Sequence, residues 1–140
     1  MRSARPVTLQ VLLVLLVLAV GINYVDRGSL SIAKTEVAAE FDLDDVEMGL
    51  LFSAFFWSYA LCQIVAGWFV DRYDVKWVYA VGFLIWSLAT LAMGLVSSFT
   101  IFFAMRILMG AGESVAYPAT SRIVVENFDE SRRGLVNAHV

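Results

Sequence analysis

Apolar residues fill this chain in runs too long for an ordinary core helix, and the breaks between the runs are short and polar. A bilayer core about 30 Å thick takes about 20 mostly apolar residues in one helix, and four stretches meet that length. The first builds through the leucine and valine run from Val11 to Val20 and continues past Asp26-Arg27, predicting a helix over about 8–33. The second is predicted over 48–70. After the charged stretch Asp71-Arg72-Tyr73-Asp74-Val75-Lys76, the third is predicted over 77–96 and meets Ser97-Ser98. The fourth is predicted over 99–118, where Pro118 either kinks or stops it. A polar link of mixed charge follows over 119–133, and residues 134–140 turn apolar again, as the first turns of a fifth span would. The pattern predicts an all-α integral membrane protein, and a chain that stops as an apolar stretch begins is expected to be the N-terminal part of a longer one.

The first span has a rival reading. Arg2 and Arg5, the leucine-valine run and Ala19-Val20-Gly21 loosely satisfy a secretory signal with a small-residue cleavage site. Three further spans, and polar residues spaced along the helix after the run, favour a retained helix. Composition agrees: 60% of the residues are hydrophobic and 16% charged, against roughly 45–50% and 25% in soluble domains. A net charge of -3, with no compact Lys/Arg stripe, leaves nothing to attract nucleic acid. One cysteine, Cys62, and one histidine, His139, exclude an internal disulfide and a metal site built from the pair. No nucleophile-base constellation or phosphate loop is visible, so neither an enzyme nor a cofactor is expected.

The ten Lys and Arg residues set the expected orientation. Arg2, Arg5, Arg72, Lys76, Arg122, Arg132 and Arg133 fall on one side, Lys34 alone on the other, and Arg27 and Arg106 within the spans. The bias predicts a cytoplasmic N-terminus in a plasma-membrane protein that crosses the bilayer several times. The first outer loop is then acidic, with Glu36, Glu40, Asp42, Asp44, Asp45 and Glu47.

An ionisable residue in a span costs about 2.5–3.5 kcal/mol on insertion scales, so each one needs a reason. Asp26 and Arg27 stand in the outer part of the first span, with Asn23 three and four positions before them and Ser31 four after Arg27, a polar stripe at helical spacing. Arg106 and Glu113 share a face of the fourth span but lie about 10 Å apart along its axis, too far to pair unaided. Tyr59 and Gln63, one turn apart, add hydrogen-bonding groups without charge. Cys62 beside them reads as a small buried hydrophobe. These charges fit either structural pairs that hold helices together or a site for an anion and a proton. The second reading has a chemical basis: a guanidinium offers a two-pronged fork to a carboxylate, and a desolvated Asp or Glu can load and release a proton as water access changes. Small residues at i, i+4 spacing, Gly110 with Ser114 and Gly112 with Ala116, would let a neighbouring backbone approach closely.

Three segments carry a family resemblance. Gly67-Trp68-Phe69-Val70-Asp71-Arg72-Tyr73-Asp74-Val75-Lys76 resembles the G-x-x-x-D-R-x-G-x-K loop between the second and third helices of the major facilitator superfamily, and Arg106 to Gly110 resembles its fourth-helix R-x-x-x-G pattern. Asn23-Tyr24-Val25-Asp26-Arg27, the segment from Trp57 to Gln63, and Gly112-Glu113 followed by Tyr117-Pro118 are similar to its anion:cation symporter branch, in particular to bacterial proton-coupled sugar-acid transporters for galactonate or glucarate. The resemblance implies the first four helices and the start of the fifth from a twelve-helix fold, whose remaining helices would complete the site. It implies proton-coupled uptake of a small organic anion, with Asp26 and Glu113 coupling the proton. Arg27 and Arg106 would act on the substrate carboxylate or on those acids, and Tyr24 and Tyr59 would contact substrate. Gly67, Asp71, Arg72 and Lys76 would form a cytoplasmic gating loop. Asp74 departs from the motif, which has glycine there; where that glycine serves a tight left-handed turn, Asp adopts it less readily. Two other functions compete: a four-helix drug exporter acting as a dimer, and a membrane subunit or sensor that does not transport.

Overall fold

The computed structural model describes residues 6–139, so Arg2, Arg5 and Val140 lie outside the described residues. Seven helices follow in order among the described residues: α1 (Pro6–Ile32), α2 (Lys34–Phe41), α3 (Asp45–Arg72), α4 (Val75–Met93), α5 (Phe99–Glu113), α6 (Ala116–Asn127) and α7 (Glu130–His139). Four stretches are long and apolar enough to cross a membrane: Leu9–Ile32, Asp45–Arg72, Val75–Met93 and Phe99–Asn127, the last made of α5 and α6 together. Many of their large apolar side chains, Val25, Ile64, Trp57 and Leu91 among them, are exposed on the outer faces, where water would be a poor neighbour.

The helix ends follow from local chemistry. The acidic outer segment, expected as a loop, holds a short helix instead: Val37, Ala38 and Phe41 recur on one face of α2 and pack against Leu30, Met48, Leu51 and Phe102. Asp42 ends α2 in the left-handed conformation, at φ 54°. Asp44 then caps α3, accepting from the Glu47 backbone N–H at 2.8 Å, while the Glu47 carboxylate accepts from the Asp44 N–H at 3.1 Å. At its other end α3 runs on through Asp71 and Arg72, so these motif residues stand on a helix rather than in a loop. Asp74, where the motif has glycine, lies at φ −60° and ψ 117° and caps α4 by accepting from the Lys76 backbone N–H at 2.9 Å. The turn therefore needs no left-handed residue at this position, and a capping Asp serves it well.

Pro118 neither ends the helical path nor kinks it at its own position. It occupies the first turn of α6, and the break falls at Ser114-Val115, because proline has no N–H for the Ser114 carbonyl and its ring crowds it. The helix then continues to Asn127, so the link predicted over 119–133 shrinks to Phe128-Asp129, and α7 opens at Glu130 rather than at Gly134.

α5 lies between α3 and α4 and packs closely on both. Two glycines make this possible. A methyl group on Gly110 would run into the Phe55 carbonyl and the Ser58 hydroxyl of α3, and one on Gly112 would meet the Trp86 nitrogen of α4 at 2.8 Å. Gly82 of α4 returns the contact, since a methyl there would stand 2.9 Å from the Gly112 carbonyl. Backbones approach at these points because no side chain intervenes. Three apolar clusters stack along the bundle: Leu30, Met48, Leu51 and Phe102 at the α2 end; Phe55, Trp86, Ala89, Met109 and Ala116 in the middle; and a group including Leu16, Val70, Ala119 and Val124 at the end of the α3–α4 turn.

Candidate functional site: a caged arginine and a buried glutamate

α1 turns the stripe Leu16, Val20, Asn23, Arg27, Leu30 toward the other helices, and steps of three and four residues keep all five on one face. Two of the five are polar, and they reach the middle of the bundle. Arg27 Nε donates to Glu113 Oε2 at 2.9 Å, joining α1 to the last residue of α5. The Glu113 side chain is wholly buried and that of Arg27 is one-fifth exposed. This is the cross-helix partner that Glu113 lacks on its own helix.

Aromatic rings surround the Arg27 guanidinium. Its central carbon lies 4.4 Å from the Tyr59 ring centre, 5.6 Å from Phe55, and 5.9 Å from both Tyr24 and Tyr117. Four electron-rich faces stabilise a cation that has left water. The tyrosine hydroxyls are held in turn: Tyr117 donates to Tyr24 at 2.9 Å, and Gln63 Nε2 donates to the Tyr59 hydroxyl at 3.3 Å. Tyr24 itself is well exposed, so the cage is open on the α1 side. Asp26, next to Arg27, is half-buried and faces the Trp86 indole and Glu113.

Arg106 stands apart from this cage. It is 1% exposed; its Nε donates to the Leu51 carbonyl at 3.3 Å, its Nη1 lies 3.8 Å from the Met109 sulfur, and its guanidinium sits 5.0 Å from the Phe55 ring centre. Phe55, stacked on Tyr59, is thus a ring that both guanidiniums approach. Arg106 is near enough to Glu113 for their charges to act on each other, with no direct bond between them.

Several buried polar atoms around the pair lack hydrogen-bond partners among the described residues: Arg27 Nη2, Glu113 Oε1, and both the oxygen and the nitrogen of the Asn23 amide. A buried polar group left unmatched costs about 1–3 kcal/mol, which sets this cluster apart from the apolar packing around it. Ser31, grouped with the stripe in the sequence, is exposed and takes no part.

The gating-loop residues gather at the far end of α3, away from the cage. Asp71 Oδ1 accepts from Arg122 Nη1 of α6 at 3.4 Å, and Arg122 also donates from Nε to Glu126. Arg72 lies over the Trp68 ring at 5.7 Å, Lys76 is exposed, and a methyl group on Gly67 would meet nothing. A groove of about 570 Å³ between α3, α4 and α5, lined by Cys62, Phe69, Trp77, Val81, Ile85 and Val115, is apolar and includes none of the charged residues. Among the described residues, no three His, Cys, Asp or Glu side chains stand close enough to hold a metal ion.

Phe55, Trp86, Tyr117 and Arg122 were not singled out for a role by the sequence. Tyr117 and Phe55 carried a usable signal, four residues after Glu113 and four before Tyr59, each one helical turn from a suspected site residue. Arg122 carried the i, i+4 spacing to Glu126 on its own helix but nothing that pointed to Asp71, and Trp86 carried none, since its neighbours at the site lie on other helices.

Residues 16–140 match the Major Facilitator Superfamily. The chain is similar to a probable galactarate/D-glucarate transporter of Escherichia coli strain K12, 40% identical over 137 residues that cover 94% of this chain and 31% of that protein. A second probable galactarate/D-glucarate transporter of the same strain is 42% identical over 129 residues, covering 88% of this chain and 29% of that protein. A D-galactonate transporter of Escherichia coli O6:H1 is 39% identical over 121 residues, covering 86% and 28%. The chain spans about a third of the length of these relatives. With a match that takes in every helix of the bundle, and an all-helical fold of four stretches able to cross a membrane, the chain belongs to the major facilitator superfamily.

Proposed function

We propose that this chain supplies the first helices of a secondary active transporter that takes up an organic anion of the sugar-acid class together with a proton. The observation that carries the reading is the single bond between Arg27 and Glu113 inside an open aromatic cage. One guanidinium serves two carboxylates in turn. While Glu113 is ionised, it occupies Arg27; once Glu113 takes a proton it loses its charge, and the guanidinium fork becomes available to a substrate carboxylate. Substrate and proton then enter together, which is the definition of symport. The names of the similar transporters support a polyhydroxylated acid as the anion, and the tyrosine hydroxyls suit a substrate rich in hydroxyl groups.

In this reading Asp26 and Glu113 couple the proton, and Tyr24, Arg27 and Tyr59 meet the substrate. Arg106, buried and bonded to the Leu51 carbonyl, acts on Glu113 through its charge rather than on the substrate by contact. Gly67, Asp71, Arg72 and Lys76 belong to a gate at the cytoplasmic end, on the side where Arg122 meets Asp71. The basic residues gathered at that end favour a cytoplasmic N-terminus in a bacterial inner membrane. Helices beyond this chain close the site from the other side, and the two halves rock about it.

The test is uptake by the full-length protein in proteoliposomes, using labelled galactarate, D-glucarate and D-galactonate with and without an inward proton gradient. Gradient-driven accumulation of at least one is expected, and Glu113→Gln is expected to abolish accumulation while leaving exchange of substrate across the membrane. Accumulation untouched by Glu113→Gln would remove Glu113 from the coupling role, and no uptake of any of the three would refute the sugar-acid assignment.

A further inference from the structure

The function proposed above leaves Asn23 without a task. Asn23 stands one turn before Arg27 on α1, is 1% exposed, and has no partner for either end of its amide. It faces Glu113, whose Oε2 holds Arg27 and whose Oε1 holds nothing. Two neighbouring buried groups, the Asn23 amide and Glu113 Oε1, neither with a well-formed hydrogen bond, stand close enough to act on each other. Arg27, one turn further along, brings this face of α1 against Glu113.

We propose that Asn23 is a positioning residue for Glu113, bonding to it in both protonation states so that Arg27 is free to turn to the substrate. The inference rests on the coupling role of Glu113 proposed above. When Glu113 is ionised and Arg27 leaves, the Asn23 amide nitrogen donates to the carboxylate. When Glu113 carries its proton, the Asn23 amide oxygen accepts from the acid O–H. A neutral amide has both a donor and an acceptor, and the other groups around Glu113 do not offer the pair. Arg27 only donates, and ionised Asp26 only accepts. Arg106, the other charged group near Glu113, only donates and is tied to the Leu51 carbonyl.

The test reads Glu113 directly and needs no substrate. In the full-length protein in lipid, the carboxylic-acid stretching band that is lost in Glu113→Gln is followed against pH by infrared difference spectroscopy. Asn23→Leu, similar in size and unable to hydrogen-bond, is expected to move the midpoint of that band about one unit toward higher pH, since the carboxylate loses a donor. It is also expected to raise the band's frequency toward that of a free acid. Asn23→Ser, which keeps a donor and an acceptor, is expected to bring both back toward wild type, and Asn23→Ala gives the same reading as leucine without its bulk. The inference is overturned by an unchanged midpoint and frequency in Asn23→Leu and Asn23→Ala, or by the absence of any band lost in Glu113→Gln. A band that behaves as expected, in a protein that takes up none of the three sugar acids, would refute the substrate and leave the Asn23 assignment standing.

Discussion

The bundle contains two meetings of arginine and carboxylate that look alike on paper and differ in their surroundings. In the middle, Arg27 reaches Glu113 at 2.9 Å, with one side chain one-fifth exposed and the other fully buried. At the end of the α3–α4 turn, Arg122 reaches Asp71 at 3.4 Å and also Glu126, with side chains 42%, 78% and 44% exposed. Water screens the second set and does most of the solvating, so each of its bonds adds little. The first set has lost its water, and the protein supplies what replaces it: aromatic faces for the cation and a guanidinium for the anion. Burial therefore turns the same chemistry from a weak surface tie into a high-stakes element whose partners cannot be exchanged without consequence.

The comparison breaks most sharply if the buried pair proves dispensable. Arg27→Met leaves Glu113 buried without its counter-ion, and the loss is expected to be about 3–5 kcal/mol, read as a lower melting temperature of the full-length protein. Replacing both partners, Arg27→Met with Glu113→Met, is expected to recover most of that stability while transport stays absent, since the apolar pair needs no solvent yet can hold neither proton nor anion. A double variant that transports would show that the pair is structural only.

A middle-sized effect sharpens the account of how the interior is closed. Gly110→Ala puts a methyl group into the Phe55 carbonyl and the Ser58 hydroxyl, pushing apart the helices that carry the cage. A cost of about 1–3 kcal/mol is expected. Gly49→Ala on the same α3 meets nothing and is expected to be neutral or to stabilise by up to about 1 kcal/mol, because alanine is the better helix former. Equal melting temperatures for the two variants would contradict the close packing of α5 on α3.

The smallest effect belongs to the exposed cluster. Arg122→Ala is expected to cost about 1 kcal/mol or less, and the difference from wild type is expected to fade in high salt, where screening has already removed the interaction. A large loss that salt does not reduce would place Arg122 among the buried, partner-dependent charges and erase the contrast drawn above.

The elements were readable in the sequence where the apolar runs were long: the first three spans end within about three residues of where periodicity puts them, while the fourth, predicted to 118, runs on to Asn127. The differences arise where local signals were ambiguous. An acidic segment concealed α2 because its apolar face is only Val37, Ala38 and Phe41. Pro118 read as a kink or a stop; it lies in the first turn of α6, where its missing N–H costs little, and the break stands just before it at Ser114-Val115. The suspicion that Asp26, Arg27, Arg106 and Glu113 are special came from the cost of charge among apolar residues, which is a property of composition alone.

By itself, then, the sequence determined that the chain is helical and membrane-sized, that four charges needed a reason, and which glycines could sit at a close approach, because hydrophobic period and charge cost are one-dimensional quantities. Only the tertiary structure decided that Glu113 belongs to Arg27 and not to Arg106, that both guanidiniums come to the Phe55 ring, and that the Asn23 amide is buried without a hydrogen bond. Residues up to 93 positions apart meet there. Which of them meet depends on the rotation of each helix about its own axis. That rotation is fixed by packing at Gly82, Gly110 and Gly112, where backbones touch, and not by any residue's neighbours along the chain.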